Sequence, residues 1–193
     1  MQNGESILKQ IETAGRTCYK SEDKISADSA AGFVKRIIKS GHHSVIEHIS
    51  VSVKFICDRG ISHEIVRHRL AAYSQESTRY ANYSMNKFGN EITVIKPFFW
   101  AEDSLEYMEW KKAMENAEQS YLTLLKKGAR PEQARSVLPN SLKTEIVMTC
   151  NLREWRHVLK LRCSKASHPQ IRELMRPLLT EFYEKIPVLF DDI

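Results

Sequence analysis

HISVSVKFIC, residues 48–57, is the stretch on which the fold turns. Ile49, Val51, Val53 and Phe55 fall on one side and Ser50, Ser52 and Lys54 on the other, which is the two-residue period of a half-buried strand. Upstream, ADSAAGFVKRIIKSG carries apolar residues at helical spacing from about Ala27 to Ser40, with Gly41 as terminator. Ile7, Leu8 and Ile11 mark an earlier helix over 6–14. Downstream, a short helix from about Ser62 leads into a polar loop over most of 71–91, and EITVIK, 91–96, is a second strand candidate. A long helix from about Ser104 to Lys127 and a short one from Pro131 into Arg135 follow. LKTEIVMTCN alternates Leu142, Thr144, Ile146 and Met148 against Lys143, Glu145, Val147 and Thr149, a third strand. Asn151 followed by Glu154 reads as a capping pair opening a helix to about Cys163, and Pro169 suits the first turn of the last helix. Helices packed on a small, mainly antiparallel sheet make an α+β fold.

The chain has 193 residues, 42% of them hydrophobic and 27% charged, which suits one domain over 1–193 with a core of its own. MQNGESILKQIETAG has no basic segment followed by an apolar run, and no window approaches the roughly 18 apolar residues of a membrane span. The expectation is a cytoplasmic protein without membrane partners. Cys18, Cys57, Cys150 and Cys163 are scattered, so they read as reduced thiols rather than a zinc knuckle or a disulfide framework. A net charge of +5 favours anionic partners without choosing between nucleic acid and small phosphorylated molecules.

The charge concentrates in RHRLAAYSQESTRY, Arg67–Tyr80. A solvated basic helix end would account for Arg67, His68 and Arg69 alone. The wider pattern asks for more: Arg79 closes the loop, Arg135 precedes SVLPN, and Arg162 stands seven residues after Trp155, on the side of Val158 and Leu159. An arginine on an inward face needs a carboxylate or a ligand. HEIVRH, 63–68, imitates a zinc-protease motif, but its histidines are five apart, about 140° around a helix, off one face. His42, His43 and His48 with Glu47 offer metal-binding atoms in a spacing that matches no standard ligand pattern, so no metal is expected. There is no G-x-G-x-x-G or P-loop, which leaves arginines to hold any phosphate. Ser77 as a nucleophile would need an oriented base. His68 lies nine residues earlier with no evident carboxylate, so Ser77 is assigned to binding. Tyr73, Tyr80 and Tyr83 could stack on nucleic-acid bases, but the arginines would then form one exposed stripe, and several sit beside apolar faces instead.

These residues together resemble the flavin-dependent thymidylate synthases. That family's signature is R-H-R, seven residues, then S, matched by Arg67, His68, Arg69 and Ser77. AGRTCYKS, GHHSVIEH, DRGISHEIVRHR, STRY, ARSVLP and NLREWRHVLKLR extend the match over nearly the whole chain. The resemblance implies reductive methylation of dUMP to dTMP. Methylenetetrahydrofolate would give the carbon, NADPH would supply reducing equivalents through FAD, and tetrahydrofolate would be released. It also implies a homotetramer whose active sites are shared between chains.

Carried over by position, Arg67, His68 and Arg69 contact FAD, with Ser44, His42, Gln75, Asn151, Leu152, Arg153 and His157 as further cofactor contacts. Glu64, Ile65, Val66, Arg67, Gln75, Glu76, Ser77, Thr78 and Arg79 line dUMP, and Arg135 completes its phosphate clamp. Arg162 matches the arginine that stabilises the pyrimidine as N3 ionises, the one catalytic assignment. Departures from the common pattern are Glu64 for glutamine, Ser74-Gln75 for Asn-Glu and His157 for asparagine, each keeping hydrogen-bonding capacity.

Overall fold

The computed structural model describes residues 3–85 and 89–193. Its helices are α1 (Gly4–Tyr19), α2 (Ser29–Lys39), α3 (Arg59–Ile65), α4 (Leu105–Lys126), α5 (Pro131–Ala134), α6 (Leu152–Arg162), α7 (Pro169–Lys185) and α8 (Pro187–Phe190). Three strands, β1 (Ser50–Asp58), β2 (Ala72–Gln75) and β3 (Lys143–Asn151), form a small antiparallel sheet in the order β1-β3-β2. The α+β architecture is the expected one. Backbone contacts divide the chain into two compact units, Met1–Val53 with His68–Ala72 and Thr149–Ile193, and Lys54–Arg67 with Tyr73–Met148.

In the first unit α1 and α2 approach closely because Gly15 faces α2: a Cβ there would stand 2.6 Å from the Phe33 ring. Arg16 lies over the same ring at 4.5 Å and is paired with Glu12 at 2.8 Å, both nearly fully buried. Glu12 also accepts from the Ser29 hydroxyl, so the inward charges on α1 are satisfied. Gly41 follows α2 at φ +72°, the left-handed conformation expected of a terminator. On α6, Trp155, Val158 and Leu159 are fully buried, and the indole N–H donates to the Val51 carbonyl at 3.0 Å. Trp155 stacks toward Phe182 and Phe182 toward Phe190, so α7 and α8 complete this core. Pro169 opens α7 as expected, and His168 caps it, its Nδ1 accepting from the Gln170 N–H at 3.3 Å.

In the second unit Tyr121 on α4 packs with Tyr83, Ile92, Ala134 and Leu142. Asp58 opens α3 by accepting from the Ile61 N–H at 2.6 Å, which starts that helix at Arg59 rather than near Ser62.

Both long strands alternate as expected. Val51 and Phe55 are buried in β1, and Thr144, Ile146, Met148 and Cys150 in β3. Two expectations change. The loop over 71–91 contains β2, a short edge strand that continues its pairing through Glu76 N–H to the Glu145 carbonyl at 2.9 Å. Residues 86–88 of that loop lie outside the described residues. EITVIK forms a single antiparallel bridge, Val94 to Leu142, because Pro97 soon removes the next ladder donor.

Candidate active site

In the first unit the start of α6 is fixed from two sides. Asn151 Oδ1 accepts from the Glu154 N–H at 2.9 Å, and the Leu152 N–H donates to the Ile49 carbonyl at 3.0 Å. The Leu152 side chain is fully buried. A cavity of about 650 Å³ opens beside this helix start, lined by Glu47, Leu70, Asn151, Arg153, Glu154 and His157. Two of these lining residues pair with each other, Arg153 donating to Glu47 Oε1 at 2.5 Å. His42 and Ser44 come from the turn around His43–His48, which buried Val45 and Ile46 pin to the core. The Tyr19 hydroxyl lies 3.2 Å from His42 Nδ1. A slightly larger cavity of about 710 Å³, lined by the first turns of α1 with His48 and Ile49, contains none of the expected site residues.

Within R-H-R the middle residue turns inward: His68 is 5% exposed, while Arg67 and Arg69 are on the surface. His68 Nε2 accepts a hydrogen bond from Arg162 Nε at 2.9 Å, and Nδ1 lies 3.5 Å from Glu154 Oε1. A carboxylate does therefore face His68, contrary to the reading of the sequence, and Glu154 is the residue that reading missed. Its only signal was its place three residues after the Asn151 cap. Burial, then the charges of Arg162 and His157, pushes the His68 pKa down to about 4, so the ring is neutral at neutral pH. His68, Glu154 and His157 offer ligand atoms within 4.8 Å of one another, the one such metal-competent trio among the described residues. A metal on His68 Nδ1 would force the ring proton onto Nε2, directly against the Arg162 N–H, so this arrangement favours the hydrogen bond. Histidines 42, 43 and 48 form no such group with Glu47 among the described residues.

In the second unit Gln75 Nε2 donates to Ser62 Oγ at 2.9 Å and Thr144 Oγ1 at 3.2 Å, using the amide nitrogen that a glutamate lacks. Glu76 accepts from the Tyr83 hydroxyl at 3.0 Å and faces Lys143 at 3.6 Å. Burial and the Glu76 charge raise the Tyr83 phenol well above its usual range. Ser77 heads a tight turn: its carbonyl accepts from the Tyr80 and Ala81 N–H groups, and its Oγ from the Arg79 N–H at 3.3 Å. Arg135 Nη1 donates to Thr78 Oγ1 at 3.5 Å, and Arg79 approaches Glu132 at 3.8 Å. The turn thus gathers Ser77, Thr78, Arg79 and Arg135 in one place. Of the other expected substrate residues, Ile65 is buried and its carbonyl accepts from the Tyr73 hydroxyl at 2.9 Å, Glu64 is half-buried, and Val66 is exposed.

The family model described as "Thymidylate synthase complementing protein" matches residues 3–188. The chain is 35% identical to a "Flavin-dependent thymidylate synthase" of Pyrococcus abyssi, an alignment covering 86% of this chain and 68% of that protein. Proteins of the same name from Mycolicibacterium vanbaalenii and Geobacter sulfurreducens are 37% and 33% identical, with 94% of this chain and 78% and 80% of theirs covered. The chain belongs to the flavin-dependent thymidylate synthase family.

The residues fit the flavin that the family name implies. FAD combines a diphosphate with a planar ring. The first unit offers the exposed cation Arg69, Arg153 with its Glu47 partner, the positive end of the 11-residue α6, and a cavity edged by Leu70 and the His157 imidazole. Three of the four thiols lend no support to a nucleophilic cysteine: Cys57 and Cys150 are pushed up to about 12, mainly by burial, and burial also raises Cys163.

Proposed function

We propose that the chain converts dUMP to dTMP by reductive methylation. It takes the carbon from 5,10-methylenetetrahydrofolate and the hydride from FAD reduced by NADPH, and it releases tetrahydrofolate. The observation that carries this reading is the Arg162–His68 hydrogen bond: it anchors a part-buried guanidinium on the helix whose start borders the cavity of about 650 Å³. When bound, FAD supplies the redox step. Asn151, Arg153, Ser44, His42, His157 and the R-H-R segment would hold it, with Leu152 contributing through its main chain. The Ser77 turn with Arg79 and Arg135 suits the dUMP phosphate, since two guanidinium groups beside the Ser77 and Thr78 hydroxyls match its oxygens. Glu64, Ile65, Val66, Gln75, Glu76 and Thr78 complete that lining. Arg162 stabilises the negative charge that develops as pyrimidine N3 ionises, which raises electron density at C5 for methylation. Ser77 Oγ already accepts from the Arg79 N–H and acts in binding.

The chain acts as one domain, a reading supported by a single family model that spans 3–188. We further infer a cytoplasmic homotetramer with shared active sites. Closed symmetric assembly is the usual form of soluble homo-oligomers. No helix among the described residues is long and apolar enough to cross a membrane. The test of the cofactor is direct: the purified protein should show flavin absorbance, and Arg67→Ala with His68→Ala should give folded, colourless protein. Stoichiometric flavin in that double variant would remove the R-H-R segment from the cofactor site.

A further inference from the structure

Glu154 and Arg162 stand on the same helix about 12 Å of rise apart. Side chains on a helix lean toward its N-terminus, so Arg162 reaches back along α6 toward Glu154. One ring from another segment spans the remaining gap. His68 meets Arg162 Nε with Nε2 at 2.9 Å and Glu154 Oε1 with Nδ1 at 3.5 Å. Arginine Nε–H can only donate, so His68 Nε2 must accept. A neutral imidazole has one N–H, and it is therefore on Nδ1, the atom facing the carboxylate. The opposite tautomer would set N–H against N–H at Arg162 and a lone pair against the carboxylate. His68 and Glu154 are both buried, at 5% and 8% exposure, which limits relief of the second clash by water. Burial raises the Glu154 pKa above the usual carboxylate value, and the nearby His157 offsets this only in part.

We propose that Glu154 is a positioning residue which, by selecting the Nδ1–H tautomer of His68, fixes the orientation of the Arg162 guanidinium. This rests on the thymidylate synthase reading, in which Arg162 acts on the pyrimidine. The sequence gives no hint of this chain of three, because His68 and Arg162 are 94 positions apart. In this reading Glu154 acts through His68 rather than on the pyrimidine. Its effect is on where the guanidinium points, and an error of about 1 Å in such a group can cost about a hundredfold in rate.

Nitrogen NMR of the FAD-loaded protein labelled with ¹⁵N-histidine, with His68 assigned by His68→Gln, reads the tautomer. The wild type should show Nδ1–H. Glu154→Gln should retain it through the amide oxygen, and Glu154→Leu, which leaves the Arg162 N–H as the remaining bias, should show a mixture of the two tautomers. In single turnover, Glu154→Leu should slow dTMP formation about ten- to hundredfold at saturating dUMP, with Glu154→Gln recovering much of the rate. In an Arg162→Ala background Glu154→Leu should add less than about twofold, because its effect passes through Arg162. An Nε2–H tautomer in a wild type that makes dTMP overturns this role alone, as do fully multiplicative losses in the double variant. Absence of dTMP from the wild type overturns the thymidylate synthase reading and this role with it.

Discussion

Arg162 was legible in the sequence because its spacing from Trp155 put a permanent cation on the apolar side of a helix. In the structure its Nε donates to the neutral ring of His68, a contact that orients the guanidinium without cancelling its charge. His68 itself carries a stability consequence. Its pKa is about 4 in the folded protein against an ordinary value near 6.5, so between these limits the unfolded chain binds more protons. Stability contributed by the neutral ring is fully present above about pH 6.5 and is lost as the pH falls toward 4. The difference amounts to about 3 kcal/mol. Urea unfolding at pH 7 and pH 4.5 should show His68→Gln losing less stability on acidification than the wild type; equal losses would show that His68 does not titrate this way. Glu154, by contrast, was hidden because its partner comes from a distant segment, and a capping pattern says nothing about where a side chain three residues on will point.

Elements that bury a face were readable, and elements that do not were missed. β1 and β3 alternate because one side of each meets the core, and α6 begins at Asn151 because only a side-chain acceptor could satisfy the Glu154 N–H there. β2 is Ala72–Gln75, all small, polar or half-exposed, and an edge strand of this kind is held by main-chain bonds that leave no mark on side-chain pattern. EITVIK shows the converse: its apolar alternation is real, with Ile92 buried, yet the backbone pairs at only one bridge before Pro97. The Ser77 turn was found through its residue types. Its contact from Arg135 was a family expectation that composition alone could not supply.

At the scale of the whole molecule, the claim beyond the single chain is that active sites are shared in a homotetramer. Arg162→Ala and His42→Ala proteins, each strongly impaired alone, should regain part of the wild-type activity after mixing and subunit exchange if the two residues of one site come from different chains. Exchanged tetramers with no recovered turnover would rule out that arrangement. The central claim is that a fixed Arg162 cation stabilises the ionising pyrimidine in a thymidylate synthase. It is tested most directly by single turnover of reduced, FAD-loaded enzyme with saturating dUMP and methylenetetrahydrofolate. Wild-type protein should form dTMP. Arg162→Ala should do so more slowly by about a hundred- to thousandfold, roughly 2.7–4 kcal/mol. Arg162→Lys should recover only part of the rate, since an ammonium keeps the charge but not the planar fork. No dTMP from the wild type, or dTMP at the wild-type rate from Arg162→Ala, would contradict the account.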